Sequence, residues 1–106
     1  MKPLQQSRRL KNKIAWIIGG KRVGQVVAQT LAEEGVHLIV SYRKSEQEAN
    51  AIAQSARKAG VKSLVIQMDA SQYPSVKNAV AHVLKKFPRI DILINMSSVF
   101  MPKAVD

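Results

Sequence analysis

The chain has 106 residues, 46% hydrophobic and only 5% aromatic, so it can build one small domain around an aliphatic core. It has no cysteine, which excludes disulfides and thiolate metal sites; His37 and His82 lack ligand spacing, and no metal is assigned. The formal charge of +10 admits an anionic partner, but five of the seventeen basic residues lie within positions 1–13.

Residues 1–12 read as a basic tail, and residues 13–106 as the folded domain. The tail lacks the apolar stretch of a signal peptide, and no apolar run is long enough to span a membrane. A soluble cytoplasmic protein with no membrane partner is the expectation. Ile14-Ala15-Trp16-Ile17-Ile18, closed by Gly19-Gly20, then reads as a buried strand. Val23, Val26, Val27, Thr30 and Leu31 recur at helical spacing until Gly35. His37 to Tyr42 is rich in β-formers and makes a second strand.

Ser45 with Glu48 has the form of a capping box, opening a helix with Ala49, Ile52, Ala53 and Ala56 on one face and a stop at Gly60. Val61 to Gln67 forms the third strand. With Ser71 as N-cap, Pro74 falls in the first turn of the next helix, where its missing N–H costs little. That helix carries the stripe Val76, Ala79, Val80, Val83, Leu84 and Phe87. Ile90 to Asn95 is the fourth strand. The order βαβαβαβ with short connections specifies an α/β fold of Rossmann type, a parallel sheet of order 3-2-1-4 with helices on both faces. An open sheet of four strands leaves an edge and part of one face uncovered, so the chain reads as truncated.

Gly19-Gly20-Lys21-Arg22-Val23-Gly24 stands between the first strand and the first helix. A glycine turn lets backbone N–H groups approach a pyrophosphate, and the helix N-terminus adds partial positive charge. The end of the second strand then selects the cofactor. An NAD site places a carboxylate there for the ribose 2′-OH. This chain has Tyr42, Arg43, Lys44 and Ser45, with no carboxylate until Glu46. Arginine suits a 2′-phosphate, and Arg22 can converge on it from the glycine loop. The cofactor expected is NADP.

These residues resemble the short-chain dehydrogenase/reductase family from Lys13 onward. The glycine loop is similar to that family's Thr-Gly-x-x-x-Gly-x-Gly. Here Ile18 stands for Thr, Arg22 for the middle Gly and Gly24 for the last, in a loop one residue shorter. Asp69, followed by Ala70, matches the family's adenine-contacting Asp. Asn95-Met96-Ser97-Ser98 lies where the family has Asn-Asn-Ala-Gly, beside the nicotinamide ribose. Lys21-Arg22-Val23-Gly24, Tyr42-Arg43-Lys44-Ser45 and Ser97-Ser98-Val99-Phe100 are similar to the NADPH-dependent pteridine reductases. The resemblance implies cofactor contacts from Gly19, Lys21, Arg22, Val23, Gly24, Tyr42, Arg43, Ser45, Asp69, Ala70, Asn95 and Ser97. It places Ser98 and Phe100 toward a carbonyl or pteridine-like substrate, and implies a homo-oligomer.

The family's proton-transfer Ser and Tyr-x-x-x-Lys follow the fourth strand, and this chain does not contain them there. Tyr73 and Lys77 have the spacing but precede that strand on a solvent-facing stripe, so no catalytic residue is assigned. The expected function is the NADP(H)-binding portion of a reductase. The alternatives are a free-standing nucleotide-binding or sensor module and a basic nucleic-acid binder. Arg57, Lys58, Lys77, Lys85 and Lys86 sit singly on helix faces without interleaved aromatics, so no nucleic-acid partner is expected.

Overall fold

The computed structural model describes residues 10–19 and 21–96, with the side chains of residues 21–23 left outside the description. Seven elements alternate in order: β1 (Ile14–Gly19), α1 (Lys21–Glu33), β2 (His37–Tyr42), α2 (Glu46–Lys58), β3 (Ser63–Gln67), α3 (Tyr73–Lys86) and β4 (Ile92–Met96). All neighbouring strands pair in parallel, in the order β3-β2-β1-β4. This is the sheet expected from the sequence. The third and fourth strands are shorter or shifted, because pairing with β2 begins only at Ser63 and pairing with β1 only at Ile92.

Strand alternation splits the core in two. Ala15, Ile17, Leu38 and Val40 face α1 and α2, meeting Ala28, Ala32, Ala49, Ile52 and Ala56. Ile14, Trp16 and Ile39 face the other way, against Ala79 and Val83 of α3 and Phe87 just beyond its end. Ser41, on this second side, is the buried polar residue among the described ones, and Trp16 Nε1 donates to its Oγ at 3.0 Å. On β4, Ile92, Ile94 and Met96 pack toward the α1 and α2 side. Leu93, paired with Trp16 on the opposite face, is 63% exposed. α3 therefore leaves β4 uncovered on its side, among the described residues.

Four local expectations need correction. The buried stripe of α1 is Gly24, Ala28 and Ala32, with Val27 and Leu31 half-buried; Val26 is 67% exposed and Thr30 is exposed. Small residues let this helix lie close to the sheet and to α2, so bulkier Val26 faces out. Ser45 does occupy the N-cap of α2, but its side chain makes no capping bond. The N-cap position of α3 is Gln72, which makes no side-chain capping bond, rather than Ser71, whose hydroxyl goes to Asp69. Leu84, read as part of the α3 stripe, is 51% exposed.

At the rim where the strands begin, chain segments far apart in sequence are tied together. Asp91 accepts from the Ile14 N–H at 2.9 Å, and Arg89 Nε donates to both carboxylate oxygens of Asp91. Arg89 also reaches the Asn12 carbonyl. These bonds, the Ile14 N–H first, hold the Asp91 carboxyl below its ordinary range.

Candidate functional site

The opposite rim gathers the strand C-termini, where open α/β sheets bind their ligands. Register places the sequence-derived residues side by side along it. Ile18 is level with Ser41 on one side and Asn95 on the other, while Gly19 is level with Met96 and Tyr42 with Gln67. β2 and β3 lie to one side of β1 and β4 to the other. The order of strands thus reverses at β1, the kind of position at which open α/β sheets bind their ligands.

Gly19 ends β1 with φ 72°, a left-handed conformation that a side chain would strain. α1 starts at Lys21, so its N-terminal N–H groups follow the turn directly. A Cβ on Gly24 would sit 3.2 Å from the Gly19 carbonyl oxygen and 3.8 Å from Ile52 Cδ1. Glycine at 24 is what lets the helix close onto the turn. A positive-φ glycine and a helix N-terminus fit a pyrophosphate. Lys21, Arg22 and Val23 belong to this first turn, but their side chains lie outside the described residues.

Beyond β2, Tyr42 is half-buried and Arg43 exposed. Burial first, and then the Glu46 carboxylate beside it, push the Tyr42 phenol above its ordinary pKa. Asp69 sits past the end of β3, within reach of the Arg43 charge. Its Oδ1 accepts from the Ser71 hydroxyl at 2.6 Å and the Ser71 N–H at 3.0 Å. These bonds, the hydroxyl's first, hold its pKa down, with Arg43 adding to the effect. Its own N–H donates to Ser75 Oγ at 2.8 Å. Asp69 is thus ionised and fixed, able to accept from an amine or a hydroxyl.

The structure brings Gly19, Gly24, Tyr42, Arg43, Ser45, Asp69, Ala70 and Asn95 to this one rim. Ser97, Ser98 and Phe100 lie outside the described residues. Tyr73 is 74% exposed and Lys77 is exposed, as a solvent-facing pair should be. Sequence reasoning missed Gln67, whose Nε2 donates to the Arg43 carbonyl at 3.3 Å. A polar residue ending an otherwise apolar strand, two positions before Asp69, was the available signal. Glu46 was read only as the first carboxylate beyond the turn, and its closeness to Tyr42 depends on how α2 turns back.

Residues 13–105 match the family model described as short chain dehydrogenase. The chain is 31% identical over 99 residues to an uncharacterized oxidoreductase of Methylorubrum extorquens, covering 92% of this chain and 40% of that protein. It is 33% identical over 89 residues to a 3-oxoacyl-[acyl-carrier-protein] reductase of Staphylococcus epidermidis, covering 83% and 36%. Among solved structures it is similar to a short-chain dehydrogenase/reductase from Serratia marcescens, with TM-score 0.75, 33% identity, and coverage of 86% and 38%. An NAD+-bound xylitol dehydrogenase gives TM-score 0.73 at 28% identity, covering 80% and 33%. The chain spans about two-fifths of the length of the curated relatives it matches.

Proposed function

The chain belongs to the short-chain dehydrogenase family, and from that premise we propose that it forms the NADP(H)-binding portion of an oxidoreductase. The nicotinamide, when bound, exchanges a hydride with the substrate of the complete enzyme. This chain's residues do the holding. The turn from Gly19 to Gly24 takes the pyrophosphate, Asp69 and Ala70 flank the adenine, and Asn95, with Ser97 assigned by resemblance alone, contacts the nicotinamide ribose.

The choice of NADP over NAD rests on one observation. At the end of β2, where an NAD site needs a carboxylate on the ribose, the chain presents exposed Arg43 and Lys44. A 2′-phosphate there would gain a charge-assisted bond from Arg43, with Ser45 and, on the sequence resemblance, Arg22 of the glycine loop as further donors. Glu46 opposes this, but its carboxylate is beside the Tyr42 hydroxyl. Calorimetric titration of the chain with NADPH and with NADH tests the reading. Tighter binding of NADPH supports it, and equal or tighter binding of NADH overturns it.

For the complete enzyme the substrate proposed is a small carbonyl compound. The sequence Ser97-Ser98-Val99-Phe100 supports a flat, pteridine-like heterocycle, with Ser98 as a polar contact and Phe100 as a stacking surface. Assembly as a homo-oligomer and a cytoplasmic location are proposed on family grounds. Among the described residues no helix is long and apolar enough to cross a membrane.

A further inference from the structure

The phosphate-selecting arginine stands on a turn, and turns need something to hold them. Arg43 follows the last residue of β2 and precedes the N-cap of α2 by two positions, in a bend. Tyr42 is paired in register with Gln67, and the Met68 N–H donates to the Tyr42 carbonyl at 2.8 Å. The next backbone N–H along, that of Asp69, is turned away to Ser75. Past that point the Arg43 carbonyl takes its bond from a side chain, the Gln67 carboxamide at 3.3 Å. The amide of Gln67 thus extends the ladder between β2 and β3 by one rung, using a side chain in place of main chain.

We propose that Gln67 is a positioning residue for cofactor selection, holding the Arg43 backbone so that its guanidinium is presented to the 2′-phosphate. The inference rests on the NADP reading above. Gln67 itself is exposed and uncharged, and its Nε2 is engaged with the Arg43 carbonyl. Asp69 assists from the same strand end, since its fixed carboxylate attracts the Arg43 charge toward the rim. A guanidinium on a mobile turn must be ordered when the ligand binds, and that ordering subtracts from affinity. A turn pinned beforehand avoids part of the loss. The effect falls only on ligands that use Arg43.

The test uses adenosine 2′,5′-bisphosphate and 5′-AMP as probes on the full chain, in the wild type, Gln67→Met, Arg43→Ala and the double variant. Methionine keeps the length of glutamine and removes the donor. The wild type should prefer the bisphosphate. Gln67→Met should weaken the bisphosphate about five-fold, the range of one modest hydrogen bond, and leave 5′-AMP within about two-fold. In the Arg43→Ala background, Gln67→Met should add nothing. A general loosening of the sheet would instead weaken both probes alike and persist without Arg43, which would overturn the role given to Gln67. Unchanged selectivity in Gln67→Met would overturn it too, while leaving the NADP reading intact. A wild type that does not prefer the bisphosphate removes the NADP reading itself, and this inference with it.

Discussion

Trp16 and Ser41, on adjacent strands, share a buried hydrogen bond of 3.0 Å between indole Nε1 and hydroxyl, each residue being less than 5% exposed. Ser41 immediately precedes Tyr42, so the bond locks the last buried rung beneath the cofactor rim. Ser41→Ala would leave the indole N–H buried without a partner. That should cost about 1–3 kcal/mol, read from urea unfolding followed by Trp16 emission. A loss below about 0.5 kcal/mol would show that the bond carries little.

Gly24→Ala reverses the usual helix arithmetic. In an ordinary helix interior the change gains about 0.5–1 kcal/mol. Here the methyl would press on the Gly19 carbonyl oxygen, a backbone atom, at 3.2 Å. Crowding of that kind costs about 1–3 kcal/mol, or else moves the turn. Either way a lower melting temperature or weaker nucleotide binding is expected. A variant that is more stable and binds equally well would contradict the close approach.

Arg43→Ala should weaken NADPH far more than NADH. Loss of a charge-assisted bond to a phosphate is worth about 1.5–3 kcal/mol, roughly ten- to a hundred-fold in affinity. Parallel titrations with the two cofactors report it directly. Unchanged discrimination would mean that Arg43 does not meet the 2′-phosphate.

His37 gives the fold a pH dependence of definite sign. Its Nδ1 accepts from the Lys62 N–H at 3.0 Å, so the folded state needs the ring neutral. Desolvation first, then the Lys62 charge, lower its pKa from 6.5. The unfolded chain therefore binds the proton more readily. Stability from this group is present above about pH 6.5 and is lost as pH falls from there through the lowered folded value. His37→Asn keeps an acceptor and removes the titration, so the decline over that window should shrink in urea unfolding curves. An identical decline in the variant would assign it to other groups.

Most of the architecture was legible because its signals are local and agree with one another. The strand from His37 to Tyr42 and the glycine turn after β1 both stand where the pattern put them. The misreadings arose where packing, not pattern, decides. Hydrophobicity favoured Val26, but Ala28 and Ala32 take the buried positions of α1 and Val26 is 67% exposed. Ser71 looked like a cap, yet an ionised carboxylate two residues back is a stronger acceptor for its hydroxyl. Gln67 could not be found from spacing, because its partner is a backbone carbonyl 24 positions away.

β1 is completed on one flank by β2, close in sequence, and on the other by β4. The Asp91 bond to Ile14 spans 77 positions. During synthesis, β1, β2 and β3 can associate while the other flank of β1 waits for β4. Such distant closure slows folding and sets the tempo for the whole sheet. The reversal of strand order at β1 exists only once β4 has docked. A nucleotide held there would select chains in which β4 has docked, and its binding energy would add to their stability.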